Sequence, residues 1–254
     1  MALFGSGSKL VKEWISGRNP VLEVLRAERR HNFRLRLARG NQPNAKLELI
    51  SRLARERKLP IEVVERSQLD LIDQGHQGVA VETSTYPYVD IRDVFSYSKS
   101  QKEAPFFLLL DTIQDPQNLG TLLRSAEIMH VHGVILPIAR TATITPSVVH
   151  ASSGASEHLL IAQYNLAQAI KEIKAMDAWV IGLDESEQSK LPGELNLDMG
   201  IALVVGNEGE GLRDLVAKSC DHLMRLPMYG RIESLNAAVA GSIALYLART
   251  ARKV

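Results

Sequence analysis

The chain has 254 residues, 45% of them hydrophobic and 23% charged, with a formal net charge of +1. That is enough aliphatic material for one large or two modest domains and excludes an intrinsically disordered chain. A single cysteine, Cys220, excludes an internal disulfide framework and a cysteine-based zinc site. No run reaches the roughly 18–20 apolar residues that span a bilayer, and Met1–Lys9 is Gly/Ser-rich without the apolar core of a secretory signal. The expected compartment is the reducing cytoplasm, with no membrane partner.

In chain order, Trp14–Arg30 has helical spacing, with Val21, Leu22, Val24 and Leu25 on one side. Phe33, Leu35 and Leu37 alternate with Arg34, Arg36 and Ala38, which reads as a strand with an arginine face. A helix is expected over Ala45–Lys58 and a strand over Ile61–Val64. A helical turn follows at Leu69–Asp73, and then a strand over Val79–Thr83, after the turn Gly75-His76-Gln77-Gly78. Residues 1–90 therefore make a small α/β domain. Residues 91–104 read as a linker, with a short helix around Val89–Phe95.

From Pro105 a second domain begins, 105–254. Phe106–Asp111 is a continuous apolar run of the kind found in buried parallel strands. Further strands are expected at Gly133–Pro137, Leu159–Ala162, Trp179–Leu183, Ile201–Gly206 and His222–Leu226. Helices fit between and after them at Gly120–His130, Pro146–Ser153, Leu166–Met176, Gly211–Ser219 and Ser234–Ala251. Thr145-Pro146 and Asn165 with Gln168 read as helix starts. The alternation predicts a parallel sheet with helices on both faces.

The near-neutral net charge conceals an asymmetry. Residues 1–92 hold 16 Lys and Arg against 11 Asp and Glu, whereas residues 105–254 hold 12 against 16. Arg26, Arg29, Arg30, Arg34, Arg36 and Arg39 cluster in the first half. They read either as a polyanion grip of the kind that holds nucleic acid or as a solvated charged face.

Ligands of open parallel sheets bind beyond the carboxyl ends of the strands. Three loops there carry unusual polar groups. The first runs from Asp111 through Asp115-Pro116-Gln117-Asn118-Leu119-Gly120, with Arg124 beyond it; a plain turn with Asn118 as helix cap is the simpler reading. The second is Gly206-Asn207-Glu208-Gly209-Glu210-Gly211, whose order is GxxGxG and so neither the dinucleotide fingerprint nor a P-loop. The third, Pro227 to Ala240, passes Ile232, Ser234, Leu235 and Asn236 into an alanine-rich helix; its simpler reading is a Ser234 cap. His130, His132, His150 and His158 have no metal-ligand spacing and read as structural or surface groups.

Taken in this order and spacing, the three loops resemble the SpoU (TrmH) family of RNA 2′-O-ribose methyltransferases in the SPOUT class. The resemblance is nearest to the members acting on guanosine in 23S ribosomal RNA. The first domain looks like the L30e-like RNA-binding domain of the ribosomal-RNA members. The resemblance implies an α/β catalytic domain with a deep C-terminal trefoil knot, a homodimer, and S-adenosylmethionine as cofactor. Gly206, Leu226, Ile232, Ser234 and Leu235 are then the expected cofactor seat. Asn118, Arg124, Glu208, Ser234 and Asn236 are the expected catalytic set. Free arginine, with a pKa above about 12, is a poor base. Arg124 is therefore expected to position the ribose and stabilise the developing alkoxide, with Glu208 holding it or accepting the proton. A transfer-RNA substrate, or a non-catalytic RNA-binding protein that keeps the fold, are the alternatives.

Overall fold

A computed structural model describes residues 11–232 and 234–252. The Met1–Lys9 stretch and Glu233 lie outside the described residues. The chain divides into two compact units: residues 1–87 with 144–157, and residues 88–143 with 158–254.

The first unit holds a four-stranded sheet in the order β1-β4-β2-β3. Its strands are β1 (Lys12–Ser16), β2 (Asn32–Ala38), β3 (Ile61–Val64) and β4 (Val79–Ser84). Only β2 and β3 are parallel. Its helices are α1 (Arg18–Ala27), α2 (Ala45–Glu56) and α3 (Arg66–Asp70). The expected single helix from Trp14 to Arg30 is corrected: Lys12–Ser16 is a strand, paired residue for residue with Ser84–Ala80. Gly17, at φ 90°, breaks the chain between strand and helix. α1 then buries Val21, Leu22, Val24 and Leu25, and α2, capped by the Asn44 side chain, buries Leu47, Ile50 and Ala54.

Two later pieces complete this unit: α6 (Pro146–Ala151) and the 3-10 turn Ala155–Glu157. Gly154, at φ 89°, lets them lie on α1; a Cβ there would come within 2.7 Å of the Glu23 Cβ. Thr145 starts α6 without a side-chain capping bond.

In the second unit six parallel strands run in the order β10-β8-β9-β5-β6-β7. They are β5 (Phe106–Leu110), β6 (Gly133–Leu136), β7 (Ile161–Gln163), β8 (Ala178–Leu183), β9 (Gly200–Val205) and β10 (His222–Met224). β5 and β9 are buried along their whole length, as expected for a sheet covered on both faces. One face carries α4 (Ile91–Ser100), α7 (Leu166–Lys174) and α8 (Asp214–Ser219), packed with Phe107, Leu109, Val180 and Val204 into one core. The expected linker residues 91–104 thus contain a full helix within this unit.

The alternate strand residues face α5 (Pro116–Ile128) and α9 (Ala237–Ala251). These two helices approach closely because Gly241 faces Leu122; a Cβ there would lie 2.5 Å from Leu122 Cδ2. Ser125 and Ser242 share a 2.7 Å hydrogen bond across the same contact. Asn165 caps α7 by accepting from the Gln168 N–H, while the Gln168 side chain turns to Glu172 instead of closing a capping box. Among the described residues no helix is long and apolar enough to cross a membrane.

Candidate functional site

The three loops singled out in the sequence converge at the carboxyl ends of β5 and β9. The loop after β5 turns through Thr112, which is left-handed at φ 60°. Asp115 caps α5 by accepting from the Gln117 N–H, and Pro116 occupies the first turn. Asn118 is therefore not the cap; its side chain is left for other work. Its Nδ2 donates to Glu208 Oε1 at 2.8 Å. Asn236 Nδ2 donates to Asn118 Oδ1 at 3.1 Å and to the same Glu208 oxygen. Three residues, one from each loop, form a closed polar cluster. Among the described residues no donor is placed on Glu208 Oε2.

The local chemistry explains why this cluster forms. Asn236, not Ser234, is the N-cap of α9, accepting from the Ala238 and Val239 N–H groups. Its carboxamide oxygen thus satisfies helix donors while its nitrogen reaches Glu208. Gly206 and Gly211 close the glycine loop by a pair of backbone hydrogen bonds between Asn207 and Gly211, each 3.0 Å. A Cβ on Gly206 would fall on the Gly211 carbonyl, and Gly211 is left-handed at φ 66°. The Asn207 side chain donates to the Thr112 carbonyl at 3.2 Å, and its oxygen accepts from the Gly209 N–H at 3.0 Å.

A second tie escaped the sequence reading. Asp111 is fully buried and accepts from Arg213, through the backbone N–H at 2.9 Å and through Nε at 2.7 Å. A buried carboxylate is costly unless paired, and this pairing locks the end of the glycine loop to the end of β5. The signal was present as a lone acidic residue closing an apolar strand, but its partner lies 102 positions away.

Beside the cluster lies a cavity of about 280 Å3 at the ends of β8, β9 and β10. Of the expected cofactor residues, Gly206, Leu226 and Leu235 line it, with Val205, Met224 and Ala240. Ile232 and Ser234 are not among its lining residues; both are exposed on the loop before α9. Asp184, Glu185, Glu208 and Glu210 make its rim acidic. Asp184 is held by the Ser186 N–H at 3.1 Å and the Ser189 hydroxyl at 2.9 Å. Burial works to raise its pKa, but these hydrogen bonds outweigh it and lower it.

Arg124 is exposed on α5, six residues beyond Asn118. At 3.6 residues per turn it projects from a different side of the helix. On α9, Val239, Ile243 and Tyr246 form an exposed stripe at helical spacing, and Ile128, one turn after Arg124, is 62% exposed.

The basic cluster of the first unit is built differently from the expectation. Arg30 is buried, paired to Glu157 through Nε and Nη2 and to Glu13 through Nη1. It is withdrawn as an RNA contact, because its guanidinium has no exposed surface. Arg29 donates to the Glu157 carbonyl, and Arg26 pairs with Glu23 one turn away. Arg34 pairs with Glu62 and Glu82, Arg36 with Glu62, and Arg39 with Glu65. These five keep some exposed surface; carboxylates answer the charges of Arg26, Arg34, Arg36 and Arg39, and a backbone carbonyl holds Arg29.

Glu103, His130 and His132 also come together, which their spacing had not shown. Glu103 Oε1 accepts from His130 Nδ1 and His132 Nε2, and Oε2 from Arg249. The Phe106 N–H donates to His132 Nδ1, so the nitrogen facing Glu103 carries the proton. Its hydrogen bonds make this a structural clamp on the last turns of α9.

Comparison with known proteins finds a family and a shared fold for the chain. Residues 105–246 match the SpoU rRNA Methylase family, and residues 14–89 match the family described as RNA 2′-O ribose methyltransferase substrate binding. A TrmH family tRNA/rRNA methyltransferase of Bacillus subtilis (strain 168), YacO, is 36% identical over 92% of this chain and 94% of its own. One from Staphylococcus aureus (strain MSSA476) is 39% identical over 76% of this chain and 78% of its own. Among solved structures, the SpoU methyltransferase AviRb of Streptomyces viridochromogenes, in complex with AdoMet, shares the fold at TM-score 0.77 and 21% identity, covering 94% of this chain and 90% of its own. An AdoMet-bound rRNA methyltransferase of Sinorhizobium meliloti does so at TM-score 0.77 and 24% identity, covering 94% and 87%.

Proposed function

We propose a function for this chain from the premise that it belongs to the SpoU rRNA methylase family. It is an RNA 2′-O-ribose methyltransferase that uses S-adenosylmethionine. Its substrate, in our reading, is a guanosine of 23S ribosomal RNA, in the cytoplasm. The hydrogen-bonded Asn118–Glu208–Asn236 cluster at the mouth of the acidic cavity carries the reading.

The cavity fits the cofactor's chemistry. Leu226, Leu235, Val205 and Ala240 offer an apolar slot, and Gly206 leaves it open to a close-lying group. The acidic rim suits a cationic sulfonium. When bound, S-adenosylmethionine supplies an electrophilic methyl on sulfur. The chain would have to hold a ribose 2′-hydroxyl in line with that methyl and take up its proton as the methyl leaves sulfur. Glu208 Oε2 faces this task as proton acceptor, while the two amides on Oε1 fix the carboxylate's orientation. Holding the pair in line can be worth on the order of 7–11 kcal/mol.

Arg124 stabilises the developing alkoxide. Its position on another side of α5 supports a site completed by a second copy, with Val239, Ile243 and Tyr246 as the apolar face of a homodimer. The return of residues 235–240 to the ends of β8, β9 and β10 supports a knotted C-terminus. The match of residues 105–246 to the SpoU rRNA Methylase family supports the ribosomal-RNA reading, and the substrate-binding match over residues 14–89 supports an RNA substrate.

Calorimetry with S-adenosylmethionine and transfer of a labelled methyl to unmodified 23S ribosomal RNA test the reading. The expected result is binding followed by ribose methylation. Binding of RNA without binding of the cofactor would leave a non-catalytic RNA-binding protein. Methylation of transfer RNA alone would move the substrate.

A further inference from the structure

A second cavity, of about 300 Å3, opens at the carboxyl ends of β6 and β7; Ile138, Arg140, Tyr164, Arg213 and Leu215 are among its walls. Both sides of it are fastened to the β5–α5 loop, the one that delivers Asn118. On one side the Thr141 hydroxyl and the Ala142 N–H both donate to the Ile113 carbonyl, at 2.9 and 2.7 Å. On the other, Arg213 is bound to Asp111.

The two arginines differ in their freedom. The Arg213 side chain is 46% exposed and paired with Asp111. Arg140 is exposed, with no hydrogen-bond or ion-pair partner among the described residues. It is held left-handed at φ 60°, a conformation uncommon for a non-glycine residue. Beside these cations, Ile138 and Leu215 are 71% and 67% exposed. Cationic forks next to a bare apolar surface match what a single RNA strand offers: phosphates for the former and a base face for the latter.

We propose that this cavity receives the RNA nucleotide flanking the target, with Arg140 and Arg213 on its backbone phosphates and Ile138 and Leu215 against its base. Strand order places the cofactor cavity over β8, β9 and β10, the Asn118 cluster at β5 and β9, and this cavity over β6 and β7. An RNA strand whose reacting ribose sits at β5 therefore has its neighbour here. The inference rests on the RNA methyltransferase reading and adds where that substrate is held.

Arg140→Glu in the full chain tests it, with Arg140→Lys as the conservative variant. The probe is unmodified 23S ribosomal RNA transcribed in vitro, with affinity measured across a salt series and methyl transfer measured at saturating S-adenosylmethionine. Arg140→Glu weakens RNA affinity about tenfold and reduces the salt slope by about one. It raises KM for RNA at constant kcat, and Arg140→Lys restores most of the loss. Cofactor affinity and sedimentation mass stay at wild-type values. If the wild type methylates the transcript and Arg140→Glu binds it equally well, this inference falls and the functional reading stands. Affinity lost together with a changed sedimentation mass also overturns it, because Arg140 would then serve assembly. A wild-type protein that binds neither cofactor nor RNA removes the functional reading and this inference with it.

Discussion

Asn118 and Glu208 stand 90 positions apart in the chain and meet at 2.8 Å, joined by the cap of a third element. The acid is thereby aimed by two amides, one of which, Asn236, also caps α9. Glu208→Gln keeps the shape and removes the proton acceptor. It lowers kcat at least about tenfold, a loss of roughly 1.4 kcal/mol, with cofactor affinity retained in calorimetry. Full turnover by this variant assigns Glu208 to structure alone.

Asn236→Ala removes both a cluster member and the α9 cap. Lost capping costs about 1 kcal/mol of stability, seen in chemical denaturation. Turnover falls at least about tenfold as well. A stability loss with unchanged kcat would confine Asn236 to capping.

Arg124→Ala abolishes methyl transfer while S-adenosylmethionine still binds. Mixing this variant with Glu208→Gln checks the shared site: mixed dimers regain activity if Arg124 of one copy serves the Glu208 of the other. No recovery in verified mixed dimers places both residues in one copy's site.

Gly206→Ala forces a methyl onto the Gly211 carbonyl, whereas a Cβ on Gly209 meets nothing within 4 Å. Overpacking of this kind costs about 1–3 kcal/mol. Gly206→Ala lowers the melting temperature and cofactor affinity together, and Gly209→Ala changes the melting temperature little. Equal behaviour of the two variants contradicts the closed-loop geometry.

Acid stability reports on Glu103. Burial works to raise its carboxyl, but the hydrogen bonds from Arg249, His132 and His130 outweigh that and hold it at about 2. The unfolded carboxyl titrates near 4.5. Between those values the unfolded chain binds more protons, so stability is lost as pH falls from about 4.5 towards 2. Burial also lowers the His132 pKa, which adds a loss in the same direction below about 6.5. Glu103→Gln flattens the acid limb of a denaturation series. An unchanged limb removes the clamp from the account of acid unfolding.

The parallel sheet was legible because Phe106–Leu110 and Gly200–Val205 are apolar throughout, a pattern that only doubly covered strands tolerate. The loops were legible because glycine and asparagine at helix mouths constrain the backbone locally. β1 was hidden: Lys12–Ser16 is short and runs directly into the stronger helical period of α1. Arg30 was misplaced for a different reason: it was counted by its neighbours in sequence, but its partner Glu157 lies 127 positions away, just as Glu82 lies 48 from Arg34. Long-range pairing leaves no local trace.

The split assembly of the first unit bears on how the protein is made. Because Ala155–Glu157 supplies the carboxylate that Arg30 requires, residues 1–87 leave the ribosome with a buried-type cation and no full complement of partners. The usual order, in which an amino-terminal domain closes before its successor is synthesised, is unavailable to this chain. β5, α5 and β6 must all be translated before Ala155–Glu157 reaches the first unit, so a single cut in the gene after residue 87 leaves that unit without its last helix and turn.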